Sequence, residues 1–191
     1  MPRRKKLNET WPVDRQGQRL RELVVYISNR SDSDPYFGAI KLNKILYHSD
    51  FEAFRRFGVP ITGYRYSRLK FGPAPKAVTY AREDLAREGA IRTEEVLIGN
   101  FKQIRTIAQR EASLDVFTRD EIILVDEVIS RLWSQNATEV SDASHDVRWK
   151  VLRNNDPIPY EFAFLSNDPV SEYESRRTRE LAAKYGWATT G

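Results

Sequence analysis

One stretch constrains the fold more than any other: Lys41-Leu42-Asn43-Lys44-Ile45-Leu46-Tyr47-His48-Ser49-Asp50-Phe51-Glu52-Ala53-Phe54-Arg55-Arg56-Phe57. Wound as an α-helix at about 100° per residue, Ile40, Tyr47, Phe51 and Phe54 form one apolar row, and Leu42, Leu46, Ala53 and Phe57 form a second beside it. A surface helix needs an apolar stripe only about 100° wide, so a helix apolar over more than half its circumference must be packed from two sides. The stretch therefore predicts the central helix of a single core. It leaves an exposed strip of Lys41, Lys44, His48, Glu52 and Arg55.

The flanking chain supplies elements to pack on it. Leu20, Leu23, Val24 and Ile27 predict a helix over 16–29, broken before Pro35. The central helix stops at Gly58. Residues 62–69 predict a short strand, Phe71-Gly72-Pro73-Ala74-Pro75 a rigid turn, and 75–88 a helix with Pro75 at its first position. Residues 90–98 and 101–109 read as a hairpin around Gly99-Asn100. Thr118 and Glu121 form a capping-box pair, with Phe117 and Ile122 placed as a hydrophobic staple. Ile122, Val125, Val128, Ile129 and Leu132 supply the buried face of the helix they open. A short helix near 137–146, capped by Thr138 or Ser141, precedes irregular chain at 150–167. Asp168-Pro169 opens a last helix to Gly186.

The expected fold is mainly α, of the α+β class: a compact helical domain around a central buried helix, with a small β-hairpin or sheet. Residues 1–15 read as a flexible basic arm, 16–167 as the domain, and 168–191 as a C-terminal helix and tail.

Composition excludes several chemistries. With no cysteine among 191 residues there is no disulfide and no thiolate metal site. No signal-peptide pattern is present, and no apolar run approaches the roughly 18 residues of a membrane helix, so the expected setting is cytoplasmic. His48 and Glu52 have a spacing that can hold a metal, but no cluster supplies the remaining ligands, so no metal or other cofactor is expected. Gly-rich phosphate loops and nucleophile elbows are lacking, which leaves an enzyme reading without support. Residues 1–111 carry a net charge of +9 and residues 112–191 a net charge of −5. The cations Arg65, Arg68, Lys70 and Lys76, together with helices followed by a hairpin, keep a winged-helix DNA-binding regulator as the alternative function.

Lys41-Leu42-Asn43-Lys44-Ile45-Leu46-Tyr47 resembles the signature helix of the Panacea-domain family, which includes the SocA-like antitoxins. Gly58-Val59-Pro60, Tyr66 through Gly72-Pro73-Ala74-Pro75, and Ser144-His145 followed by Trp149-Lys150 continue the likeness in order over 18–165. The basic amino-terminal arm and the terminal helix depart from the pattern. The resemblance implies an antitoxin that neutralises a cognate protein toxin, encoded nearby, by direct binding. Some members also deliver the toxin to a protease. Neither catalysis nor a membrane partner is expected. Leu42, Leu46, Tyr47, Gly72, Pro73, His145 and Trp149 are expected to serve the fold. Lys41, Lys44, His48, Arg55, Tyr64, Tyr66, Arg68 and Lys70 are the expected partner-binding candidates, with Trp11 as a further aromatic anchor.

Overall fold

The computed structural model describes residues 11–144 and 150–165, and a few single positions beyond. Helix α1 (Gln16–Arg30) leads into α2 (Ala39–Phe57), followed by the two-residue strands β1 (Tyr66–Ser67) and β2 (Ala74–Pro75). Helix α3 (Ala77–Arg87), the hairpin strands β3 (Ile91–Ile98) and β4 (Phe101–Ala108), and helices α4 (Arg119–Leu132) and α5 (Ala137–Ser144) come next. Strand β5 (Pro157–Ile158) and a 3-10 helix (Tyr160–Phe164) close the order. Among the described residues, five strands in two antiparallel sheets make this a mixed α+β fold, not an all-α one.

Helix α2 is central, as its two apolar rows require, and packs against α1, α4, α5, β2, β4 and the 3-10 helix. Its two rows serve two cores. Leu42, Ile45, Leu46 and Ala53 join α1, α3 and α4 in the main aliphatic core. Tyr47, Phe51 and Phe54 enter an aromatic cluster with Tyr66, Ile158, Tyr160 and Ala163. Phe57, placed in the second row by its spacing, is 44% exposed because it lies at the last turn, beyond the elements that cover the helix. Gly58 ends the helix in the left-handed conformation, φ 78°, and its N–H donates to the Phe54 carbonyl at 2.9 Å.

The strand expected over 62–69 shortens to Tyr66–Ser67, because residues 61–64 are committed elsewhere. The backbone at Trp11 lies across Gly63, donating from its N–H to the Gly63 carbonyl at 2.9 Å. A Cβ on Gly63 would sit 2.4 Å from the Trp11 carbonyl oxygen, so only glycine (φ 69°) permits the crossing. Trp11 is thereby half-buried, its ring edge-on to Phe54 at 4.8 Å. β1 pairs with β2 on one side and with β5 on the other, the second pairing falling in a segment read as irregular from sequence. β3 and β4 pair through all eight positions around Gly99-Asn100, as the turn residues dictate.

The Thr118 capping box forms in both directions and opens α4. Leu124, not Ile122, completes the buried face with Val125, Val128, Ile129 and Leu132, while Ile122 is half-buried. Phe117 packs under the Arg19 guanidinium, 4.9 Å from its ring centre. The cap of α5 is Asn136 rather than Thr138 or Ser141: its Oδ1 accepts from the backbone N–H groups of Thr138 and Glu139 at 2.9 and 3.1 Å. A cap must precede the first helical turn, and the two predicted residues lie inside the helix. The terminal helix expected at 168–186 falls largely outside the described residues.

Candidate functional site

The strip expected at the surface of α2 divides when the chain folds. Lys41 and Lys44 are each only 1% exposed, a correction to their expected exposure. Spacing alone assigns lysines to solvent, but α5 and the turn before β2 close over this side of the helix. Lys41 Nζ lies 2.7 Å from Asp34 Oδ2, in a pair with both side chains nearly inaccessible. The other oxygen, Asp34 Oδ1, accepts from the Tyr36 backbone N–H at 3.0 Å. Burial lowers the pKa of Lys41, against the pull of Asp34 and Glu139. Lys44 Nζ donates to the carbonyl oxygen of Phe71, which Ser141 Oγ also approaches, at 3.4 Å. His48 is half-buried with its ring edge-on to Tyr47 at 5.1 Å, and Arg55 is exposed.

Tyr66, expected as a surface anchor, is wholly buried, because β1 lies between β2 and β5 and directs this ring into the aromatic cluster. Tyr64 is half-buried, and its carbonyl accepts from Tyr160 OH at 2.7 Å. Arg68 anchors the chain by its backbone, its N–H donating to Asp156 and its carbonyl accepting from Asn155. Lys70 is exposed, with Nζ 5.5 Å from the ring centre of Phe71. Leu42, Leu46 and Tyr47 are core residues as expected. Gly72 and Pro73 are buried in the turn, Gly72 at φ 88°. His145 and Trp149 lie outside the described residues.

The sequence reading missed the residue that ties these parts together, Asp50. It occupies the aromatic row of α2, three residues after Tyr47 and four before Phe54, where an acid is out of place unless it is satisfied. That misplacement was a readable signal. Asp50 Oδ1 accepts from the Thr62 backbone N–H at 2.6 Å, and Oδ2 accepts from Thr62 Oγ1 and from Tyr66 OH, the latter at 2.9 Å. Tyr160 OH also stands 3.3 Å from Oδ2. Burial raises the Asp50 pKa despite these donors. Burial and the nearby carboxylate push both tyrosine hydroxyls well above their usual range, so they remain protonated donors. The cluster fastens α2 to β1 and to the 3-10 helix.

Lys44 has a pH consequence. Burial, with no compensating charge, brings its pKa down to about 7 from the usual 10.5. Between those values the unfolded chain holds a proton that the folded protein does not, so stability rises as pH increases through the window, by on the order of 3 to 5 kcal/mol in full. Below pH 7 the folded protein carries a desolvated ammonium. Lys44→Met is expected to stabilise the protein at pH 6 and to abolish the gain expected of the wild type between pH 7 and 9, measured by urea unfolding. Parallel profiles for the two proteins would contradict this assignment.

Among the described residues, no group of three or more His, Asp or Glu is arranged to hold a metal ion, and no helix is long and apolar enough to cross a membrane. The arrangement is a packed scaffold with a few projecting surface groups. The family model for the antitoxin SocA-like Panacea domain matches residues 42–150, from the second residue of the signature helix to the lysine after Trp149. No curated protein and no solved structure matches the chain.

Proposed function

Because the chain belongs to the SocA-like Panacea-domain family of antitoxins, whose model spans more than half of it, we propose that it neutralises a cognate protein toxin by binding it directly. Family membership is the observation that carries this reading. The match runs through α2, the turn around Gly72 and α5, the parts that build the scaffold and its projecting surface. Inhibition of this kind needs a rigid surface that covers or locks a toxin, with no chemistry of its own. A stable interface of this class buries about 1,200–2,000 Å² and depends on a few aromatic and arginine anchors. The groups available for that role among the expected candidates are His48, Arg55, Tyr64, Arg68 and Lys70. Delivery of the bound toxin to a protease would be a separate later step, visible as a shortened toxin half-life.

The DNA-binding alternative requires a helix free to enter a groove. Helix α2 is covered on most sides, and α3, the helix before the hairpin, carries Glu83 and Asp84 among its cations, charges that phosphates oppose.

The test is co-expression with the protein encoded by the adjacent gene. Expression of the neighbour alone is expected to arrest growth, and expression of both is expected to restore it. A neighbour that is harmless alone, or whose toxicity persists when both accumulate, would remove the reading.

A further inference from the structure

Phe71 combines two properties that do not usually coincide. Its ring is 60% exposed, yet its backbone is fixed from beneath. The buried Lys44 Nζ and Ser141 hydroxyl meet at its carbonyl, and the Gly72 N–H closes the turn on Leu69 at 2.9 Å. Gly72, in the left-handed conformation, and Pro73, with its restricted φ, shape the next two positions. A mobile loop could present an aromatic ring only at an entropic cost on binding. This turn has met that cost in folding, which is the condition for an interface anchor.

The chain on either side of Phe71 has one sign. Residues 53–82 contain seven lysines and arginines and no aspartate or glutamate. Lys70 lies beside the Phe71 ring. Arg65 immediately precedes β1 and Lys76 immediately follows β2, and the two strands pair at the adjoining position, Tyr66 opposite Pro75. Tyr80, 67% exposed, follows Lys76 by one helical turn. Arg65, Lys70 and Lys76 are exposed and make no ion pair among the described residues, whereas most other arginines of α1, α2 and β3 are paired.

We propose that Phe71 is the apolar anchor of the toxin-binding surface, entering an apolar pocket on the partner that is rimmed by carboxylates facing Lys70, Lys76 and Arg65. This rests on the antitoxin reading and goes beyond it by naming the surface and the chemistry of its partner. The two lysines of the signature helix then have distinct work: Lys41 closes the core with Asp34, and Lys44 is the pedestal of the Phe71 turn. A nucleic acid could also stack on Phe71, but three unpaired cations fall short of the 6–10 phosphate contacts of a typical strong binder.

The experiment is calorimetric titration of the purified chain with the purified product of the adjacent gene, at two salt concentrations, for the wild type, Phe71→Ala, Phe71→Leu and Lys70→Glu/Lys76→Glu. Phe71→Ala is expected to weaken binding at least about 30-fold, as loss of a central anchor does, while its melting temperature stays that of the wild type. Phe71→Leu is expected to retain part of the affinity, and the charge reversal to weaken binding at least about tenfold at low salt and less at high salt. If the wild type binds and Phe71→Ala binds within twofold of it, the anchor is wrong and the antitoxin reading stands. If the wild type does not bind, both fall. Retention of a fluorescent single-stranded oligonucleotide that depends on Phe71, with toxin binding unaffected, would overturn the proposal in favour of nucleic acid.

Discussion

Asp50→Ala is expected to lower the stability of the protein by about 3–5 kcal/mol, enough to unfold a marginal domain, with no change at any exposed surface. The carboxylate is wholly buried and gathers the Thr62 backbone N–H, the Thr62 hydroxyl and the Tyr66 hydroxyl, with Tyr160 OH beside them. Truncation leaves the Thr62 N–H, the Thr62 hydroxyl and the Tyr66 hydroxyl without this acceptor, while Tyr160 OH keeps the Tyr64 carbonyl at 2.7 Å, and each orphaned buried group costs about 1–3 kcal/mol. It also releases the two elements that the cluster fastens to α2. Asp50→Asn should cost much less, since an amide oxygen can still accept from Thr62 and only the remaining contacts are remade. The folded protein holds the Asp50 proton more tightly than the unfolded chain, because burial raises its pKa above 3.8. This group's contribution therefore declines as pH rises from the ordinary carboxylate range through the raised folded value, and Asp50→Asn removes that decline. Urea unfolding of the three proteins at pH 4.5 and 7 measures both effects. An Asp50→Ala variant as stable as the wild type would show that the cluster does not hold the fold.

Asp34→Ala is expected to cost a similar amount, about 3–5 kcal/mol, for a different reason. It strands the Lys41 ammonium, 1% exposed, without the carboxylate that pairs with it at 2.7 Å. Lys41→Met strands the Asp34 carboxylate less severely, because the Tyr36 N–H still donates to it. Replacing both, Asp34→Leu with Lys41→Met, exchanges the ion pair for apolar contacts and should recover most of the loss. The double-mutant cycle thus has a large favourable coupling. Additive single losses would mean that the two charges do not depend on one another.

These two sites also show where the sequence is legible and where it is not. The central helix, the hairpin and the capping box follow from local patterns: the double apolar row, Gly99-Asn100, and Thr118 with Glu121. Each is read from one helix, one hairpin or one cap, because the interactions that create it lie within that element. The fate of Lys41 and Lys44 is set by partners brought in from elsewhere, Asp34 from the preceding loop and Phe71 and Ser141 from beyond it. Periodicity assigns a lysine to solvent by its charge and carries no information about a carboxylate or carbonyl that arrives in the fold. Residue type puts Tyr66 at the surface for the same reason, since its burial depends on β5 and Tyr160, about ninety residues on. Asp50 is the intermediate case. Its position in an aromatic row marks it as satisfied, but the donors that satisfy it appear only in the folded chain. Phe71 is the converse: a residue type expected in the core, held at the surface by a turn whose supports are buried.

The measurement that bears most directly on the account is the mass of the species formed when the purified chain is mixed with the purified product of the adjacent gene, by size-exclusion chromatography with light scattering. A defined complex of the two proteins, persisting at physiological salt and free of nucleic acid, is the predicted result. Two separate peaks at concentrations where co-expression restores growth would contradict neutralisation by direct binding.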